Sequence, residues 1–390
     1  MTGLVVVDTA TYWSGFGQVV ILGLIQVGGF GIMTFASLLG LLVSRRLGLS
    51  SRLNPEIHSK AVGSSDVRSV LLGVAKISLV CEAALAVVLA WRLVTVYGES
   101  PWRAGYLGVF HAVSAFNNAG FALYSDSLVR FAADAWICLP VSLAVILGGL
   151  GFPVLFELRR EYRGSCRLSL HTKLVLVSTT FLLVVGTAFL TANEWRNPAT
   201  LGTLNVRGKL MTGFVQAVMP RTAGFNTVDI GSLRESSWLG TEVLMFIGGA
   251  PAGTAGGIKV TTFAVLFFVI WAEFRADGNV HVLDRTLGHR VQAQALTAAL
   301  MGIACVVVGT WALLELTTFS TNEVLFEVVS AFGTVGLSTG ITADLPDSAQ
   351  LVVTALMFLG RVGPVTLISS LAIRESGGAM GYPEGRPLIG

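Results

Sequence analysis

Three short segments carry the residues best suited to chemistry. They are Asn117-Asn118-Ala119-Gly120-Phe121, Arg221-Thr222-Ala223-Gly224-Phe225 and Gly333-Thr334-Val335-Gly336-Leu337. Each sets small residues ahead of a glycine, and Thr2-Gly3-Leu4 reads as the tail of a fourth copy. Successive glycines lie 117, 104 and 112 residues apart, a near-constant period that marks an internal repeat. Glycine lets a backbone approach a ligand closely. A row of carbonyls on such a turn can replace the hydration shell of a cation, with no carboxylate required. The alternative is that these glycines only let helices pack. That explains one such turn more easily than three in register.

A second segment, 248–257, holds five glycines and Pro251 in ten residues. Glycine and proline are the poorest helix formers, so a regular helix cannot run through it. It interrupts the apolar run 238–271 near its middle, where irregular backbone is tolerated only if it lines a cavity or is buried in protein. A simple helix kink is the plain alternative. A phosphate-binding loop is excluded, because Gly257-Ile258-Lys259 breaks the Gly-Lys-Ser/Thr pattern and the flanks are apolar. Arg361 stands inside the apolar run 350–373, and an intramembrane cation marks a functional position facing the interior. Lys259 sits nearer a run end, where its stem could snorkel to the interface. Neither the five histidines nor the four cysteines show metal-ligand spacing. The sequence contains no nucleophile–base pattern, which argues against an enzyme.

The elements that must position these residues belong to a membrane. The chain has 390 residues, 53% hydrophobic and only 13% charged, with 45 glycines and a mean hydropathy of +0.73. A soluble surface cannot be built from so few charges. Seven apolar runs are long enough to span: 16–43, 70–93, 136–156, 172–192, 238–271, 293–316 and 350–373. Three shorter runs, near 105–118, 206–219 and 322–333, match re-entrant segments, and each ends in one of the glycine turns. The repeating unit is therefore span, half-helix, glycine turn, span. Half-helices aim their negative C-terminal dipole ends at a shared cavity, which favours a cation there. Lys and Arg concentrate in loops 45–68, 157–173 and 272–290 and the tail after 373, which the positive-inside rule places in the cytoplasm. The glycine turns then lie toward the outer side. The net charge of +3 gives no sign of nucleic-acid binding.

These turns resemble the degenerate selectivity filter of the Ktr/Trk/HKT superfamily of potassium transporters. Gln26-Val27-Gly28-Gly29-Phe30-Gly31, Gly248 to Lys259 and Gly360-Arg361-Val362-Gly363-Pro364 agree with that family. The ending Gly381 to Gly390 is more similar to the Ktr membrane subunits than to the Trk ones. The resemblance implies an all-α polytopic membrane protein: a pseudo-fourfold repeat of M1–pore helix–M2 units around a central pore, with the first repeat incomplete. The expected divisions are 1–68 (partial repeat 1), 69–171 (repeat 2), 172–290 (repeat 3, with a gating loop at 248–257) and 291–390 (repeat 4 and tail). A complete member carries an M1 and a pore helix before the first turn, so a start codon placed too late is expected.

By resemblance, potassium is coordinated by backbone carbonyls of Thr2, Gly3, Asn118, Ala119, Gly120, Thr222, Ala223, Gly224, Thr334, Val335 and Gly336. The gate is assigned to Gly248, Gly249, Pro251, Gly253, Gly256, Gly257, Lys259 and Arg361. Glycine in all four copies goes with potassium selectivity in this family, and serine in the first copy with sodium permeation. No cofactor is implied in this chain. Potassium is the substrate, with coupling to sodium or to protons, or channel-like passage, left open. The implied partners are a second copy of the chain, membrane lipid and a cytosolic nucleotide-binding RCK regulatory subunit of the KtrA/TrkA type. The implied location is the prokaryotic plasma (inner) membrane, as a multi-pass protein. The rival readings are a sodium-permeable member, a polytopic enzyme acting on a lipid-borne substrate, and a non-functional fragment.

Overall fold

The computed structural model describes residues 2–31, 64–162, 168–275, 279–283 and 285–363. The second half of the first expected span, most of loop 45–68, and everything after Gly363 lie outside the described residues. Among the described residues the fold is helical apart from a two-residue hairpin, His281–Val282 with Arg285–Thr286, in the basic loop 272–290.

Among the described residues, three helices are long and apolar enough to cross a bilayer: α2 (Ser64–Thr95), α6 (Leu170–Glu194) and α10 (His289–Leu316). Between them lie α1 (Gly15–Gly31), α3 (Pro101–Phe116), α4 (Ala135–Gly149), α5 (Phe152–Tyr162), α7 (Val206–Val218), α8 (Glu235–Phe246) and α9 (Val260–Phe274). After α10 come α11 (Thr321–Gly333) and α12 (Asp347–Val362). The spanning helices leave large apolar side chains outward, among them Leu79, Val87, Phe181, Val184, Val307 and Trp311, as a lipid-facing surface requires.

The three short helices match the expected half-helices. Each starts on a side-chain cap. Ser100 accepts from the Arg103 amide, Asn205 from Gly208, and Ser320 forms a capping box with Glu323. Such caps satisfy amides that a helix start leaves open. At 16, 13 and 13 residues, α3, α7 and α11 are too short to cross about 30 Å of hydrocarbon at ~1.5 Å per residue. Their far halves are buried: α3 from Phe110 to Phe116, and α11 from Phe326 to Gly333. Helix α3 packs against α2 and α4, α7 against α6 and α4, and α11 against α10, α12 and α8. Each half-helix is thus clasped between at least two other helices, one of them a long spanning helix.

Two expected spans are broken rather than one. The run 238–271 divides into α8 and α9 around the glycine loop, as its composition predicts. The run 136–156, expected as a simple span, instead bends by 103° between α4 and α5. The cause is the glycine loop itself. Ala250 donates its amide to the Gly149 carbonyl at 2.8 Å, and Thr254 to the Gly148 carbonyl at 3.1 Å. Gly151, at φ +80°, turns the chain, and the Phe152 amide then reaches the Ala252 carbonyl at 3.3 Å. Each broken helix therefore satisfies backbone groups exposed by the other.

Candidate functional site

A left-handed residue follows each of the three half-helices, Asn118 (φ 50°), Thr222 (φ 65°) and Thr334 (φ 51°). Two residues later each turn carries a left-handed glycine: Gly120 (φ 75°), Gly224 (φ 70°) and Gly336 (φ 95°); Gly3 (φ 82°) matches them. Non-glycine residues seldom adopt positive φ, so its recurrence at one position of three copies is a designed turn.

The four turns meet head to tail. A Cβ added to Gly3 would lie 2.6 Å from the Ala119 carbonyl oxygen, and one on Gly120 would lie 2.9 Å from that of Ala223. One on Gly224 would strike the Val335 oxygen, and one on Gly336 the Thr2 oxygen, closer still. The order Gly3, Gly120, Gly224, Gly336 and back to Thr2 is a closed ring. At every corner a side chain is sterically forbidden.

The amides of this ring point back into the protein. Ala119 donates to Ser114 at 2.8 Å, Ala223 to Met219 at 3.0 Å and Val335 to Ser330 at 2.8 Å, all backbone carbonyls. The Gly336 amide donates to the Ser330 hydroxyl at 3.1 Å. Ala119, Ala223 and Val335 bury their side chains completely. Among the described residues, the carbonyl oxygens of Thr2, Ala119, Ala223 and Val335 accept no hydrogen bond. Acceptors so placed can bind a cation.

On one side the ring opens into a cavity of about 260 Å³ lined by Gly3, Gly120, Gly224 and Gly336 together with Asp8 and Asp229. Asp8 accepts from the Ala10 amide at 3.1 Å, the Thr11 hydroxyl at 2.8 Å and the Ser125 hydroxyl. Burial pushes its pKa up, but these hydrogen bonds outweigh that and hold the carboxyl below the usual aspartate value.

The glycine loop lies on the opposite side. Gly248 to Ala250 and Gly253 to Ile258 are buried. A Cβ on Gly253 would lie 3.1 Å from the Gly148 oxygen, and one on Gly256 would collide with the Thr334 side chain. A Cβ on Gly257 would sit 3.3 Å from the Gly333 Cα. Ile247 and Ile258 pair as a parallel bridge that ties the loop's ends together, with Gly248 donating to Ile258 at 2.7 Å. Pro251 places its carbonyl against Gly151. Lys259 does not simply snorkel: its Nζ donates to the Ala255 carbonyl at 2.6 Å, inside the loop. Arg361 occupies the last turn of α12, beside Gly360, whose missing side chain lets α12 touch the Phe332 carbonyl. Arg361 and Lys259 are close enough to interact electrostatically. The sequence-predicted residues thus form two layers, a ring of turns and a loop packed directly against it.

Three supporting residues stand outside the sequence-predicted filter and gate. Glu82 on α2, buried, accepts from Gln26 at 3.1 Å and from Asn117 at 2.9 Å, joining α1, α2 and the end of α3. His111 Nε2 accepts the Leu123 amide at 3.2 Å, and Glu327 accepts from Ser338 and, at 2.9 Å, from Thr342. His111 and Glu327 each stand nine residues before their turn's glycine and clasp the segment after it. Polar residues at one register in two half-helices were the available signal.

The sequence profile of TrkH, described as a cation transport protein, matches residues 1–381. The Ktr system potassium uptake protein B of Bacillus subtilis (strain 168) is 39% identical over 395 residues, covering all of this chain and 87% of that protein. The protein of the same name from Vibrio alginolyticus is 36% identical, covering all of this chain and 85% of that one. The potassium/sodium uptake protein NtpJ of Enterococcus hirae is 32% identical, covering all of this chain and 87% of that protein. Among solved structures, the potassium transporter TrkH from Vibrio parahaemolyticus superposes with a TM-score of 0.70 at 18% identity. It covers 95% of this chain and 75% of that one, a likeness of fold.

Proposed function

This chain belongs to the TrkH family of cation transport proteins, and from that premise we propose that it takes up potassium through the ring of four glycine turns. The family is one of transporters, so the work is dehydration and passage of an ion, with no bond-making step. One observation carries the reading: a closed ring of left-handed turns whose amides are tied inward and whose carbonyl oxygens accept no hydrogen bond among the described residues. In an extended strand successive carbonyls point to opposite sides. Left-handed residues at alternate positions bring them to one side, so that a column of oxygens faces the axis.

The roles follow from placement. Thr2, Gly3, Asn118, Ala119, Gly120, Thr222, Ala223, Gly224, Thr334, Val335 and Gly336 form the selectivity filter. Asp8 and Asp229 on the outer cavity attract cations ahead of it. Gly248, Gly249, Pro251, Gly253, Gly256 and Gly257, with Lys259 and Arg361, form the gate, since this buried loop lies across the inner face of the ring. Two fixed cations beside the path oppose potassium while the loop is closed. The membrane subunit works as a homodimer on a cytosolic nucleotide-binding RCK ring, a reading supported by the similarity to two Ktr system proteins. The similarity to a potassium/sodium uptake protein favours one second reading, a sodium-permeable transporter.

The test is growth at low potassium of a bacterial strain lacking its own uptake systems, with the gene expressed alone and beside its RCK partner. Rescue is expected, and it should be stronger with the partner. Absence of rescue in both cases, with the protein present in the membrane, refutes the proposal. Sodium flux equal to potassium flux supports the second reading instead.

A further inference from the structure

Among the described residues, one side chain of the filter layer hydrogen-bonds to the loop. The Thr254 hydroxyl donates to Asn118 Oδ1 at 3.0 Å, with the Phe116 carbonyl at 3.5 Å as a second acceptor. The other end of the same amide, Asn118 Nδ2, donates to the Arg221 carbonyl at 3.1 Å, in the turn of the next repeat. Asn118 and Thr254 are both fully buried. The close approach is built in: a Cβ on Gly148 would strike the Phe116 carbonyl and lie 2.9 Å from Asn118 Oδ1 and 3.0 Å from Thr254 Oγ1.

The second and third of the described half-helix turns lack this link. Thr222 and Thr334 occupy the same register as Asn118, and their hydroxyls have no hydrogen-bond partner among the described residues. Thr254 is the one residue of 248–257 with a hydroxyl. The single asparagine of the layer and the single hydroxyl of the loop are therefore paired.

An amide oxygen buried without a donor is costly. If the loop withdraws, Thr254 leaves with it, and Asn118 Oδ1 must find another electropositive partner. A cation directly beneath the ring fills that role, since an amide oxygen is a ligand for hard cations. Resting on the reading of the ring as a filter and the loop as its gate, we propose that Thr254 and Asn118 form a latch between gate and filter. Closed loop and inner-site cation compete for the same oxygen. By linkage, potassium bound beneath the ring favours the open loop, and the closed loop weakens binding there by the same factor. Asn118 is a positioning residue for the gate as well as a member of the filter layer.

The test measures potassium flux into lipid vesicles carrying the gene's full product, without its regulatory partner. Thr254→Val removes the donor at nearly constant shape. Loss of one such bond shifts the open-to-closed ratio by about 5- to 10-fold. Basal flux should rise by that factor, and the potassium concentration for half-maximal flux should fall. A merely structural injury would lower the maximal flux instead. Thr254→Ser, which keeps the donor, should restore wild-type behaviour. Asn118→Thr copies Thr222 and Thr334 at this backbone angle; it removes the shared oxygen from the closed and the open state alike, so its basal flux should lie between that of wild type and that of Thr254→Val. The double variant Thr254→Val/Asn118→Thr should rise no further than either single one. Thr254→Ala, checked for a monodisperse profile in detergent, serves if the valine variant misfolds. Basal flux within twofold of wild type in both Thr254 variants, or effects that multiply in the double variant, overturns the latch while the filter reading stands. Wild-type vesicles that pass no potassium overturn both.

Discussion

Gly224→Ala is the sharpest perturbation of the ring, and Gly98→Ala is its control. The two glycines have nearly the same backbone, φ +70° and φ +68°. An L-residue at such a φ costs roughly 1–2 kcal/mol, so both variants carry that strain. Their surroundings differ. A Cβ on Gly98 meets nothing within 4 Å, whereas on Gly224 it strikes the Val335 carbonyl oxygen and lies 3.2 Å from the Gly336 Cα and 3.3 Å from the Gly120 Cα. All three neighbours are backbone, so none can rotate away as a flexible side chain does. To reach ordinary contact the Val335 carbonyl must retreat by roughly 0.5–1 Å. One oxygen of the ring then lies out of position for the ion. Losing one charge-assisted contact of about 1.5–3 kcal/mol corresponds to at least about a tenfold fall in potassium-over-sodium preference. The assay is flux of each ion into vesicles under matched gradients, with thermal stability measured on the same preparations. Both variants should lose the stability that the backbone strain costs, Gly224→Ala more because of its backbone contacts, and only Gly224→Ala should lose selectivity. A folded Gly224→Ala protein with wild-type selectivity, or a Gly98→Ala protein with the same selectivity loss, would refute the reasoning.

Two further outcomes follow from groups on the outer side. Asp8 has a folded pKa below its unfolded value, so its hydrogen bonds contribute stability at neutral pH that is lost as pH falls through the folded pKa. The melting-temperature gap between wild type and Asp8→Asn should therefore hold steady from pH 7 to about pH 5 and close only below the usual aspartate range. A gap that closes near pH 6 would contradict the assignment. Glu194 accepts from Ser237 Oγ, Thr200 Oγ1 at 2.6 Å, Asn197 Nδ2 at 2.6 Å and the Arg234 amide at 3.0 Å, joining the end of α6 to the start of α8. Glu194→Ala strands four donors and should cost about 3 kcal/mol or more, read as a lowered melting temperature in detergent. An unchanged melting temperature would show that water replaces the carboxylate.

The half-helices were legible because their signals are local. Each is an apolar run too short to span, and a glycine turn marks its stop. The interruption at 248–257 was legible for the same reason. The bend between α4 and α5 was not read, although Gly148-Gly149-Leu150-Gly151-Phe152-Pro153 stands at the place. Its cause is a pair of amides about a hundred residues later in the chain, on Ala250 and Thr254. Local apolar content could show that 136–156 belongs in the membrane, but not that a loop from the next repeat would take its carbonyls. Asn118 was read for its backbone alone, because only the folded chain sets its side chain against Thr254 and Arg221. Lys259 was ambiguous by position and was decided by a tertiary partner, the Ala255 carbonyl.

The contact between Gly336 and Thr2 joins residues more than three hundred positions apart, while the other three contacts of the ring join neighbouring repeats. A chain inserted from its N-terminus can form the first two of those in succession, whereas the third, between Gly224 and Val335, needs the last turn as the fourth does. Both wait until the last turn has left the ribosome. A half-made protein in the membrane therefore has an unclosed ring, and ion leakage during biogenesis has to be limited by the lipid and the insertion machinery rather than by the filter.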